Sequence, residues 1–175
     1  MDRITRQPSE SVSEIEPESS GVSMCRKIND SVYELYRPSR ADVNIDIDIV
    51  FFHGLQLKQD ATPFLSTWRS RDAERSLWPS KWLAEDYPTA RILSVHYDGS
   101  MKKTDRDGRM DLDLVAENLL HSLLLERVGQ SRPVILVGHS FGGIVIKKLC
   151  VISADQAQRE KRPAGFTFFV RNHSS

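Results

Sequence analysis

At 175 residues, with 39% hydrophobic and 27% charged residues, the chain is long enough for one domain with a substantial core. Lysine plus arginine and aspartate plus glutamate balance at 24 each, so no net field selects nucleic acid, an anionic membrane surface or an acidic substrate. No run reaches the ~18 apolar residues of a membrane span, and the N-terminus has no signal-peptide apolar core, so nothing indicates secretion or membrane spanning.

Residues 1–23 hold six serines, two prolines and five acidic residues against two arginines, with apolar residues at no regular period. Such a stretch has too little apolar surface to bury, and residues 1–31 are read as a disordered, acidic, serine-rich tail. Transit peptides are also serine-rich but avoid acids, and Glu10, Glu14, Glu16 and Glu18 argue against one. From Val32, "SVYELYRP" suits a short edge strand ending at Pro38. In "VNIDIDIVFFHG", Ile45, Ile47 and Ile49 alternate with Asp46 and Asp48 before the run turns continuously apolar through Phe52. That pattern predicts a strand whose second half is buried on both faces, stopping at His53-Gly54.

The stretch from Leu55 to Pro88 is polar and aromatic and contains all three tryptophans, Trp68, Trp78 and Trp82. It reads as a long loop followed by a helix, "SKWLAED", opened by Pro79. "ARILSVHY", Ala90 to Tyr97, is the next strand, and "DGSMKKTDRDGR" is a charged loop. Positions 112, 115, 116, 119, 120, 123 and 124 form an apolar stripe at helical spacing, so "DLVAENLLHSLLLERV" is a helix with Gly129 at its expected C-cap. "RPVILVGHS" is a third strand, "FGGIVIKKLCVIS" a second long helix, and, after a polar run, "FTFFV" a candidate further strand. This alternation implies an α/β fold with a mostly parallel sheet and helices on both faces. The domain is expected over 32–153, with 154–175 a divergent or truncated C-terminus. Cys25 and Cys150 have no metal-ligand spacing and read as buried or idle thiols, a usage that fits a reducing compartment.

Gly138-His139-Ser140-Phe141-Gly142 fits G-x-S-x-G, and the buried strand before it and the helix after it supply the context that gives the pattern meaning. The chemistry needs a serine on a turn so tight that its hydroxyl stands up from the sheet. Gly138, Gly142 and Gly143 let neighbouring backbone come close. The next helix aims free amides at a developing oxyanion, which makes the Phe141 N–H one half of an oxyanion hole. His53-Gly54-Leu55 stands after an earlier strand, where the other half belongs: Gly54 admits close approach and the Leu55 N–H is the candidate donor. The histidines read as support rather than as the base. His139 braces the elbow with its ring directed away from the Ser140 hydroxyl, His53 shapes the oxyanion loop, His96 packs on its strand, and His121 borders the helical stripe. Asp98 reads as a loop or cap residue. The tryptophans read as core and loop anchors, with Trp68 alternatively a wall of an acyl pocket. No cofactor and no metal is expected.

"VFFHGL", "WPSKWLAEDYPTARILSVHYD" and "VGHSFGGIVIKKL" together resemble the α/β-hydrolase superfamily, and within it the serine active site containing proteins, near the lipase-like GPI inositol-deacylase group. The resemblance covers about residues 45–152. Its specific part is Trp78-Pro79, Trp82-Leu83, Asp86, Pro88, Ala90-Arg91-Ile92 and Tyr97-Asp98. It implies that Ile45–Phe52 is the strand before the oxyanion loop, that Ser140 is the nucleophile, and that the activity is ester hydrolysis or acyl transfer on lipid-like substrates. Members of the family continue with strands whose loops carry an acid and a histidine in the order Ser, Asp, His. Here only Asp155, Glu160 and His173 follow, and none matches a family position.

The expected function is therefore a serine hydrolase of esterase or acyltransferase type, impaired for want of an identifiable triad acid and base. The alternative is a catalytically inactive truncated isoform acting as a binding or regulatory module. The expected partner is an ester or lipid-like small molecule, with peripheral membrane association open and no nucleic acid. The expected compartment is intracellular: cytoplasm or, by the resemblance alone, mitochondrion or endoplasmic reticulum.

Overall fold

The computed structural model describes residues 25–39, 42–55, 60–71, 74–99 and 111–159, together with the backbone of 170–172. Six strands form one sheet: β1 (Arg26–Lys27), β2 (Val32–Tyr36), β3 (Ile47–Phe52), β4 (Ala90–Val95), β5 (Val134–Gly138) and β6 (Val170–Asn172). Their spatial order is β1-β2-β4-β3-β5-β6. β4, β3, β5 and β6 run parallel to one another, while β2 is antiparallel to both of its neighbours. The helices are α1 (Pro63–Ser66), α2 (Ala84–Asp86), α3 (Leu112–Leu125) and α4 (Phe141–Arg159), with a π-type turn, Pro79–Leu83, leading into α2. This is the mostly parallel, helix-flanked sheet expected for the front part of an α/β-hydrolase fold.

β3 lies between β4 and β5 with a packed cluster on each face of the sheet, and its apolar run divides between them by parity. Val50 and Phe52 join Leu93, Val95 and Leu136 under α3 and α4, whose Leu119, Leu120, Leu123, Val145, Ile146 and Leu149 are buried. Ile49 and Phe51 face the other way, with Ile92, beneath Trp68, Ala84 and the half-buried Trp78. Each fully buried Leu, Ile or Phe side chain contributes about 1.5–3 kcal/mol of transfer free energy, so this central strand is held from two sides. The expected tryptophan anchors are placed here: Trp68 packs edge-on against Phe51 and Trp78, while Trp82 is exposed.

Several boundaries differ from the sequence expectation for local reasons. The sheet reaches back beyond Val32, because Arg26 and Lys27 pair with β2 and leave it inside the sheet rather than at its edge. α3 begins one residue earlier than "DLV" suggests, since the Asp111 carboxylate accepts from the Leu114 N–H at 3.0 Å as an N-cap. It ends at Leu125; Arg127, at φ 57°, takes the first left-handed position after it, and Gly129 is left-handed as well, at φ 72°. α4 continues to Arg159 through the polar run after Ser153. β6 shares only Val170 with "FTFFV", whose other residues lie outside the described residues.

The alternating pattern treats Asp46 and Asp48 alike, but Asp46 is exposed and Asp48 is fully buried. Arg91, the cross-strand partner of Asp48 on β4, donates from Nε to Asp48 Oδ1 at 2.6 Å, and Arg132 Nε lies 3.0 Å from the same oxygen. A buried charge is tolerable only when paired. Asp48→Asn is therefore expected to cost about 3–5 kcal/mol in urea unfolding, because two guanidiniums lose their counter-ion. A loss no larger than that of the exposed Asp46→Asn would show that the pair does not hold the sheet.

Candidate active site

The parallel pairing of β3 and β5 brings their carboxyl ends to one edge of the sheet. There β5 ends at Gly138, the His139 N–H donates to the Phe52 carbonyl at 3.0 Å, and the chain turns at Ser140 with φ 53°. For a residue with a Cβ this left-handed geometry costs roughly 1–2 kcal/mol. The turn is closed by Gly142 N–H to the His139 carbonyl at 2.9 Å and Gly143 N–H to the Ser140 carbonyl at 3.0 Å. α4 starts immediately, at the half-buried Phe141, and the serine itself is exposed.

Three glycines make this geometry possible. A Cβ on Gly138 would sit 2.7 Å from the Gly143 nitrogen. One on Gly142 would run into the carbonyl of Phe52 and lie 2.7 Å from that of His53. One on Gly54 would be 2.9 Å from His139 Nδ1 and 3.3 Å from Ser140 Cβ. The end of β3, the end of β5 and the head of α4 therefore meet backbone to backbone. The two motifs read separately in the sequence are one junction, with the His53-Gly54-Leu55 turn lying against the serine. Leu55 follows directly, half-buried.

His53 is fully buried beneath this loop, with its ring stacked on Tyr97 at 4.1 Å and 11°. Its Nδ1 lies 2.8 Å from the Gly54 carbonyl, and the Tyr97 N–H points at Nε2 from 3.5 Å. The two contacts together assign the proton to Nδ1, which donates to Gly54. The Tyr97 hydroxyl in turn donates to the His53 carbonyl. Because the peptide is planar and trans, a carbonyl of Gly54 turned toward His53 sends the Leu55 N–H the opposite way. Burial pushes His53 below the ordinary histidine range, with the nearby His96 adding to that effect. Tyr97 was visible in the sequence only as part of a family pattern. Nothing in the periodicity marks it as the residue that brackets the His53-Gly54-Leu55 turn, and only its place just after a strand end hints at it.

No hydrogen bond joins the other histidines of the described residues to the hydroxyl of Ser140. His139 is exposed, its ring edge-on to Trp68 at 6.4 Å. His96 is half-buried, edge-on to the stacked rings of Tyr33 and Phe64, lowered by burial and drawn back up by the charge of Asp98. His121 is exposed on α3, Asp155 is exposed on α4, and His173 and Glu160 lie outside the described residues. Among the described residues no side chain hydrogen-bonds Ser140, and no three His, Cys, Asp or Glu side chains could share a metal. Both cysteines are half-buried free thiols, with Cys150 pushed up to about 11 by burial, which removes them as competing nucleophiles. Trp68 is buried in the aromatic cluster, as an anchor rather than an open wall. A cleft of about 660 Å³ lined by Tyr36, Arg69, Leu77 and Lys81 contains none of these site residues.

No family model matches the chain. It is 34% identical over 170 residues to Protein SERAC1 of Homo sapiens, covering 85% of this chain and 25% of that protein. Protein SERAC1 of Mus musculus is 34% identical over 140 residues, 70% of this chain and 20% of that one. Protein SERAC1 of Danio rerio is 32% identical over 170 residues. The chain thus spans about a quarter or less of the relatives it matches. Among solved structures, a type II thioesterase, YbtT, of the yersiniabactin pathway superposes with a TM-score of 0.42 at 20% identity, covering 75% of this chain and 43% of the thioesterase.

Two stability measurements test this junction. Ser140→Gly should be more stable than Ser140→Ala by about 1 kcal/mol in urea unfolding, since only glycine adopts φ 53° without strain. Equal stabilities would show that the turn carries no strain. His53 is neutral when folded and titrates near its ordinary value when unfolded, so its contribution is complete above pH ~6.5 and falls as the pH drops below that, by up to about 1.4 kcal/mol per unit. His53→Gln should flatten this acid limb, leaving the smaller share of His96. An unchanged limb would remove His53 from the account.

Proposed function

On the premise that this chain is homologous to SERAC1, we propose that it carries the nucleophile half of a serine-dependent acyl-ester site. Ser140 attacks the ester carbonyl, and the Phe141 and Leu55 N–H groups receive the oxyanion. The observation that supports this best is the left-handed Ser140 held against Gly54, which puts an exposed hydroxyl, a helix start and an oxyanion loop within one small volume. Attack forms the Ser140 Oγ–acyl bond as the serine proton passes to solvent water, which returns a proton to the leaving oxygen when the acyl–oxygen bond breaks. The carbonyl oxygen takes the negative charge between the two amides, and collapse expels the alcohol. Hydrolysis or transfer follows according to whether water or another hydroxyl takes the acyl group. A lipid-like substrate is part of the same proposal, as is contact with a membrane surface from which it would be drawn; no helix among the described residues is long and apolar enough to cross a membrane.

The described residues give Ser140 no base, which favours a second reading for this chain: a binding or regulatory module with little turnover. With the oxyanion amides but no base, a residual ~10³–10⁴-fold acceleration over water is the expectation. The discriminating experiment is labelling of the chain with a fluorophosphonate, with p-nitrophenyl ester turnover measured in parallel. Slow labelling and weak turnover that both vanish in Ser140→Ala support the site. A chain with native circular dichroism that does not label, or that labels equally in Ser140→Ala, contradicts it.

A further inference from the structure

The amino ends of the strands, on the edge of the sheet opposite Ser140, carry a second concentration of functional groups. A cleft of about 490 Å³ is lined by Arg37, Arg91, Arg127 and Arg132, with Glu126 and Ser131 beside them. Arg91 and Arg132 both bear on the single carboxylate of Asp48, which is fully buried, so among the described residues two guanidiniums share one partner carboxylate. Arg91 is 3% exposed. Its Nε and Nη1 are used, on Asp48 at 2.6 Å and on the Glu126 carbonyl at 3.1 Å, while its Nη2 has no partner. Arg37 is held by Glu34, which also pairs with Arg26. Glu126 is occupied by Asn29, whose Nδ2 lies 3.2 Å from its Oε1.

Arg127 adds an independent argument. The Arg127 N–H bonds to the Leu124 carbonyl and the Val128 N–H to that of Leu123, both at 3.0 Å, which is the Schellman closure of α3. Glycine is the usual residue at that left-handed position, yet a long cation sits there at φ 57° and lines the cleft. A local rule broken at a site where the displaced side chain faces a charged cavity points to a function for that side chain. Guanidinium forks are the side chains best matched to the oxygens of a tetrahedral oxyanion.

We propose that the Arg37–Arg91–Arg127–Arg132 cleft is an anion-binding site for a phosphate group. Arg127 and Arg132 make the outer contacts, and the buried Arg91–Asp48 pair fixes the charge behind them. The site is separate from Ser140 and does not depend on it.

The test uses the whole 175-residue chain. Titration calorimetry with sodium phosphate, against sodium chloride at matched ionic strength, should show saturable one-site binding. Arg127→Gly should weaken that binding by about tenfold or more while raising the thermal midpoint by a few degrees, because it also relieves the backbone. Arg132→Gln, which leaves the backbone alone, should weaken it to a similar extent. Sedimentation with phosphatidylcholine vesicles containing phosphatidic acid, compared with phosphatidylcholine alone, distinguishes the source. Phosphatidic-acid-dependent sedimentation that falls in both variants assigns a lipid headgroup. Phosphate binding without sedimentation assigns a soluble phosphate or phosphate ester, and either result upholds the site. Absence of both saturable phosphate binding and phosphatidic-acid-dependent sedimentation in the folded chain, or binding that both variants leave unchanged, overturns it.

Discussion

Close backbone contact at the carboxyl ends of β3 and β5 governs the arrangement of the rest of the candidate active site. Gly54, Gly138 and Gly142 each stand where a Cβ would meet main-chain or ring atoms at less than 3 Å, so no side chain can separate the three segments. This contact requires parallel strands in register, because only then does the Phe52 carbonyl reach the His139 N–H. It requires β3 to be central, because a strand buried on both faces cannot retreat. Strain at Ser140 is then sustained by everything packed around it: a cost of roughly 1–2 kcal/mol is small beside the burial of Phe51, Phe52, Leu136 and Ile146.

The His53-Gly54-Leu55 turn depends on a second layer of support. Neutral, buried His53 turns the Gly54 carbonyl toward itself and is clamped by Tyr97 from both its ring face and its carbonyl. An imidazole kept unprotonated by burial suits this task, since the same ring nitrogen pair must donate to Gly54 and accept from Tyr97 at once. The two edges of the sheet are thus chemically distinct. The carboxyl edge holds a neutral hydroxyl among backbone donors, and the amino edge holds a buried carboxylate outnumbered by guanidiniums. A chain with no net charge can still be locally polarised in this way, which whole-chain composition averages out.

Much of this was legible in the sequence where local chemistry and tertiary structure agree. The elbow could be read because Gly138, Ser140 and Gly142 lie between an apolar run and a helical stripe, and the helices because their buried positions repeat at helical spacing. The convergence of His53-Gly54 with the elbow could be argued from strand ends alone. What could not be read depends on partners distant in the chain. Asp48 looks like its exposed neighbour Asp46 until Arg91 and Arg132 are placed beside it. Tyr97 gains its role only when β4 lies next to β3. Arg127 takes the left-handed position that closes α3, and Gly129, the residue preference points to, is left-handed two residues later, at φ 72°.

The most direct test is a crystal structure of the chain after reaction with a phosphonate ester. The account predicts a phosphonyl group on Ser140 Oγ with its charged oxygen about 2.7–3.1 Å from both the Phe141 and the Leu55 nitrogens. An adduct on another residue, or one on Ser140 whose oxygen points to solvent away from these two amides, would contradict it.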